Sequence, residues 1–164
     1  LLVNNFYKCL DKCKSRANPC LNGGYLDPRA CTTCVCPEGL GGQRCADDPA
    51  GSKVLTASTQ YQSISIKLGA YGAQRDTYET ATYVIKAPQG RRVELTFDGV
   101  WGSQAQGCYN NGLEVKPARD LKPRGYRYCG GETKPQVVVS ESERLPILVW
   151  SKTGEIRADV RYRY

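Results

Sequence analysis

With 164 residues, no histidine and no methionine, the chain lacks the side chain that a Ser-His-Asp or Cys-His nucleophile system and a His-ligated catalytic zinc both require. Its net charge of +7 divides unevenly: residues 1–48 carry six Lys/Arg and five Asp/Glu, residues 49–164 seventeen and eleven. No apolar run approaches the roughly 18 residues of a membrane-spanning helix, and no nucleic-acid-binding motif accompanies the basic residues. General acid–base work would fall to carboxylates, Lys or Tyr, and no such pair is set up along the chain, so the composition points to binding rather than to catalysis.

The opening Leu1-Leu2-Val3 has neither Met nor a basic n-region. It therefore reads as the start of a mature or truncated piece and not as a signal peptide. Cys9, Cys13, Cys20, Cys31, Cys34, Cys36 and Cys45 then crowd the first 45 residues, and only Cys108 and Cys129 follow. Residues 13–45 are rich in Cys, Gly and Pro and show no sustained apolar period. A module so small cannot fold on apolar burial alone. Disulfides must hold it, and disulfides persist outside the reducing cytosol. Six cysteines in this module allow fifteen pairings. Read alone, Cys31-Thr32-Thr33-Cys34 matches a redox CxxC or half a zinc knuckle, but a disulfide framework consumes both thiols and no His is available.

The polar, turn-forming stretch 46–52 is the expected linker. Beyond it short β-favouring runs alternate with turns. Ile64, Ile66 and Leu68 share one face of 61–68; 81–87 stops at the turn Pro88-Gln89-Gly90; and 93–97, 113–115, 137–139, 146–150 and 156–162 complete the series. No helical stripe competes, and strands at this spacing predict a two-sheet sandwich around one core. Trp150 falls in an apolar run and is expected in the core. Tyr162 and Tyr164, alternating with Arg161 and Arg163, suit an edge or closing strand. Trp101 (between Gly99 and Gly102), Tyr109 and Tyr126 are expected in exposed loops, where aromatic rings supply contact area. The run Lys116, Arg119, Lys122, Arg124 and Arg127 is interrupted only by Asp120. It suits an anionic glycan, an anionic membrane surface or an acidic protein, or else a solvated loop. No Asn-x-Ser/Thr acceptor occurs.

Three segments resemble known families. Asn18-Pro19-Cys20-Leu21-Asn22-Gly23-Gly24 and Cys34-Val35-Cys36-Pro37-Glu38-Gly39 through Cys45 resemble an EGF-like domain. That resemblance implies the pairings Cys13–Cys31, Cys20–Cys34 and Cys36–Cys45. The spacing departs from the family's common pattern, with ten residues between Cys20 and Cys31 and two between Cys31 and Cys34. The acidic cluster of calcium-binding EGF domains is missing before Cys13. Leu55-Thr56-Ala57-Ser58, Val93-Glu94-Leu95-Thr96-Phe97, Cys108-Tyr109-Asn110-Asn111-Gly112-Leu113-Glu114-Val115 and Gly125-Tyr126-Arg127-Tyr128-Cys129-Gly130 resemble a CUB domain, a jelly-roll sandwich. The likeness implies a Cys108–Cys129 bridge and the loss of the family's first disulfide, Ser52 standing near its first cysteine. Many CUB domains bind calcium through a Glu and two Asp. Asn111 occupies an expected Asp position and the preceding loop offers only Asp98, so calcium is not expected.

Finally, the segment from Leu1 to Cys9 resembles the last helix and final cysteine of an astacin-family zinc metallopeptidase domain, whose cysteine bonds to one near that domain's start. The order of the three pieces, with Gly24-Tyr25-Leu26-Asp27-Pro28-Arg29, resembles the C-terminal half of a nematode astacin. The resulting expectation is a mostly β chain: residues 1–12 the end of an upstream domain, 13–45 EGF-like, 46–52 linker and 53–164 CUB. No HExxH is present, so the resemblance implies a secreted, non-catalytic ancillary region, with zinc in the upstream catalytic domain and no cofactor here. Cys9 has its partner outside the chain. Partners are that upstream domain, extracellular proteins or matrix, and an anionic glycan, with contacts at Trp101, Tyr109, Lys116, Arg119, Lys122, Arg124 and Arg127. The alternative is a free-standing secreted EGF–CUB adhesion or ligand-binding protein.

Overall fold

The computed structural model describes residues 2–131 and 135–164. Leu1, the first residue of the segment 1–12 expected to end an upstream domain, lies outside them. The chain divides into two compact units: residues up to Ala50 with Asp120–Lys122, and Gly51–Arg119 with Pro123–Tyr164.

In the first unit a single helical turn, α1 (Leu2–Phe6), leads into a 3-10 turn at Cys9–Cys13. A minimal antiparallel pair follows, β1 (Tyr25–Leu26) against β2 (Cys34–Val35). Among the described residues its buried apolar side chains are Cys13, Leu26, Cys45 and Leu121. Sulfur therefore replaces a core: Cys13–Cys31, Cys20–Cys34 and Cys36–Cys45 are bridged, each link worth about 2–4 kcal/mol through restriction of the unfolded chain. Cys31 and Cys34 bond to different partners, so no CxxC dithiol exists. Cys9 is unbridged.

The second unit is built on two very long strands. β3 (Lys53–Thr56) is followed by β4 (Gln62–Lys86), β5 (Glu94–Trp101), β6 (Asn111–Val115), β7 (Tyr126–Tyr128), β8 (Gln136–Val139) and β9 (Arg144–Arg163). β4 and β9 run antiparallel, and their register breaks between Gly69 and Glu79 on β4, opposite 151–155 of β9. At that corner Gly69 has φ +81°, and a Cβ there would stand 2.3 Å from the Gly154 carbonyl oxygen, so only glycine lets the strands cross so closely.

The bend divides the hydrogen-bonded strands into two layers. One layer orders β3, the second half of β4, the first half of β9, β6 and β7. The other orders the first half of β4, the second half of β9, β5 and β8. Tyr83, Ile85, Leu113, Leu145 and Ile147 from the first layer join Ile66, Leu95, Phe97, Ile156 and Val160 from the second in one buried cluster. Period-two alternation puts these side chains between the layers.

Several expectations change here. The stretch 70–80 is strand, not an interruption, because β4 continues through the corner. The strand carrying Tyr162 is no edge: β9 lies between β4 and β5, with Tyr162 buried and Arg161 and Arg163 on the outer surface. Trp150 is half-buried outside the core. Its indole N–H donates to the Cys108 carbonyl at 2.8 Å and its ring lies under the Arg127 guanidinium. Trp101 and Tyr126 end β5 and begin β7 and are not loop residues.

Candidate recognition site

Trp101 owes its exposure to one irregularity. The register of β5 against β9 shifts between Phe97 and Gly99. This β-bulge reverses the alternation, so that Leu95, Phe97 and Val100 point inward while Trp101 points out. Its ring lies back over Gly99, where a Cβ would meet the indole at 2.3 Å. Arg157, the register partner of Trp101 on β9, sets its guanidinium 5.3 Å from the ring centroid and bonds Asp159 at 2.9 Å.

Beside this pair opens a cleft of about 810 Å³, lined by Tyr71 and Gln74 from the β4 corner, Trp101 and Ser103 from β5 and beyond, and Glu155 and Arg157 from β9. Tyr71 is 99% exposed and Trp101 52%. Glu155 pairs with Lys67 at 2.8 Å. Behind the cleft, Asn111 is fully buried. Its Oδ1 accepts from the Ser103 N–H at 3.0 Å, and its Nδ2 donates to the Thr153 carbonyl at 2.7 Å and the Glu155 carbonyl at 3.3 Å. One carboxamide thus ties together the two chain segments that form the cleft wall.

Calcium demands six to eight oxygen ligands. Asn111 directs N–H hydrogens at the carbonyls that surround it, and Asp98 is held by Arg161 through contacts of 2.7–3.0 Å. These donors do not fit the ion.

Acidic residues partner part of the basic run. Lys116 is 3% exposed and cannot serve as a surface contact; strand β6 leads it into the buried side of the fold next to Glu114. Arg119 takes the Glu141 carboxylate on its backbone N–H, and its guanidinium donates to the Glu141 carbonyl. Lys122 pairs with Asp120 at 3.5 Å. Arg124 and Arg127 converge on Glu114, at 3.7 and 2.7 Å. Burial pushes the Glu114 carboxyl up, but the Gly125 N–H and the Arg127 guanidinium outweigh it and hold the group below the usual carboxylate range. Tyr109 remains open to solvent, its backbone carbonyl accepting from the Tyr78 hydroxyl. Of the seven predicted contacts, only Trp101 lines the cleft. Tyr71, Gln74, Glu155 and Arg157 were missed. Tyr71, flanked by Gly69 and Gly72, carried the same aromatic-among-glycines signal as Trp101; Arg157 carried none.

The Cys108–Cys129 disulfide pins a β-sandwich whose irregular strand ends expose aromatic and planar polar groups. The chain belongs to the CUB domain family, which matches residues 52–160. CUB domains are non-catalytic interaction domains and are typically extracellular. Two zinc metalloproteinases of Caenorhabditis elegans, nas-31 and nas-29, are 33% identical over 165 residues and 32% identical over 168, each match covering 99% of this chain. The chain spans 27% and 31% of their own lengths. The CUB1-EGF-CUB2 domains of rat MASP-1 align with a TM-score of 0.47 at 18% identity, over 67% of this chain and 42% of that one.

Proposed function

We propose that the chain is the non-catalytic ancillary region of a secreted astacin-like zinc metalloendopeptidase. In this reading an EGF-like unit and a CUB unit hold protein substrate, matrix or partner near a catalytic domain elsewhere in the polypeptide. The observation that carries it sits at the N-terminal segment. Val3, Phe6 and Tyr7 are exposed beside the unbridged Cys9, Phe6 at 78%. Apolar side chains on a short helix next to an unpaired cysteine are the surface of an interface. A catalytic domain bonded through Cys9 covers them. The zinc belongs to that domain, and this chain supplies no His to it. Exposed Tyr109 and Tyr126 with Arg119, Arg124 and Arg127 offer the contacts to protein. Tethering then raises the local substrate concentration to about the millimolar range without new chemistry.

Non-reducing peptide mapping of the natural secreted protein tests this. Cys9 bridged to a peptide outside these 164 residues supports the reading. A free Cys9 thiol, or Cys9 bridged to the Cys9 of a second copy, favours a free-standing EGF–CUB protein and refutes it.

A further inference from the structure

We infer that the cleft between Tyr71 and Trp101 is a binding site for a neutral pyranose oligosaccharide. Its volume of about 810 Å³ lies within the usual range for small-ligand sites, about 300–1,000 Å³. The character of the lining decides the ligand class. The aliphatic side chains of this end of the sandwich, Ile66, Val100 and Ile156, all point into the core. No Leu, Ile, Val or Phe side chain is among the described residues that line the cleft, so a peptide side chain would meet the two rings and Ala73 rather than an aliphatic pocket. What it offers is two exposed aromatic rings, Tyr71 and Trp101, and between them the carboxamide of Gln74, the hydroxyl of Ser103, the carboxylate of Glu155 and the guanidinium of Arg157.

A pyranose ring has the complementary surface. Its axial C–H bonds form an apolar face that stacks on an aromatic ring, and its equatorial hydroxyls each donate and accept. Planar amide, carboxylate and guanidinium groups meet adjacent hydroxyls in pairs.

Charge separates a neutral sugar from an acidic one. Arg157 is paired with Asp159 at 2.9 Å and Glu155 with Lys67 at 2.8 Å, so the four charges cancel where they stand. A sulfated or uronate-rich chain would have to displace a carboxylate to gain a cation, whereas hydroxyls use the hydrogen-bonding positions that these pairs leave open. The site is also held in shape before any ligand arrives. Trp101 rests on Gly99, and Asn111 fixes Ser103 and the Thr153 and Glu155 backbone. The seated Trp101 and its fixed wall bind with little ordering cost, and Tyr71, 99% exposed, is the ring that the ligand orders. Because the site is open, affinity falls in the millimolar to high-micromolar range.

The experiment is a titration of the ¹⁵N-labelled chain, followed by two-dimensional NMR, with three tetrasaccharides: β-1,4-linked glucose, β-1,4-linked N-acetylglucosamine and a sulfated heparin fragment. At least one neutral tetrasaccharide should shift the Trp101 indole N–H and the amides of 102–103 and 153–157, with little dependence on salt. Trp101→Ala should weaken that binding about tenfold while the rest of the spectrum stays folded and unchanged. Arg157→Lys, which keeps the charge and loses the planar fork, should weaken it severalfold. The inference is overturned if neither neutral sugar moves these resonances. It is also overturned if the shifts map elsewhere, if Trp101→Ala binds as the wild type does, or if only the heparin fragment binds and salt abolishes it. None of these results bears on Cys9, so the assignment of the region stands or falls separately.

Discussion

Glu114 on β6 and Arg127 on β7 are register partners whose side chains meet at 2.7 Å, with Glu114 almost completely removed from solvent. Because the folded Glu114 carboxyl is held below its unfolded value of about 4.3, its contribution is fully present above that pH. It is lost as pH falls through the folded value. Glu114→Gln should lower stability by about 2–3 kcal/mol at neutral pH, since it leaves Arg127 with a weaker partner. Below about pH 4 the wild type should lose stability more steeply than the variant. Denaturant unfolding at pH 7 and pH 3.5 measures both; equal stability at pH 7 refutes the role given to this pair.

Gly99 is the bed on which Trp101 lies. Gly99→Ala puts a methyl group 2.3 Å from the indole, so the ring must lift and lose its place beside Arg157. The expected result is a red-shifted tryptophan emission with a stability loss of about 1 kcal/mol. Unchanged emission means the ring is not seated there.

Asn111 donates where a carboxylate could only accept. Asn111→Asp turns two hydrogen bonds to the Thr153 and Glu155 carbonyls into oxygen–oxygen repulsions, costing about 2–3 kcal/mol for a buried charge facing acceptors. Millimolar calcium or a chelator should leave the wild-type melting temperature unchanged. A calcium-dependent rise in the wild type would contradict the assignment of Asn111 as an organising donor.

Heparin retention distinguishes a basic sequence from a basic surface. The two cations that this test addresses, Lys122 and Arg124, each have a carboxylate within 4 Å, Asp120 and Glu114, and Lys116 is buried. The double variant Lys122→Glu with Arg124→Glu should therefore elute from heparin at nearly the wild-type salt concentration. Loss of retention would restore the run as a glycan contact.

Where the sequence was legible, one physical rule sufficed locally. Ile64, Ile66 and Leu68 alternate because one face of β4 is buried, and the turn Pro88-Gln89-Gly90 ends that strand. The sandwich followed from those patterns. The features that make the cleft are non-local. The bulge that turns Trp101 outward is seen only in its register against β9, and its partner Arg157 lies fifty-six positions further along the chain. The corner at Gly69 falls between the expected strands 61–68 and 81–87 because glycines there weaken strand propensity, yet β9 carries the pairing across it. Lys116 reads as solvated because charge normally is; what buries it is the fold around Glu114. Tyr162 looked like an edge residue because it alternates with arginines, but central strands of an open-faced layer also put charges outward.

The most direct test of the proposed ancillary role compares the full-length natural protein, which the proposal takes to be a protease, with a form lacking residues 13–164, on a short fluorogenic peptide and on intact extracellular matrix protein. The account predicts equal kcat/KM on the peptide and a loss of about tenfold or more on the matrix protein, as expected when a tether is removed. An unchanged rate on both substrates would contradict it, as would peptide hydrolysis by the purified 164-residue chain alone.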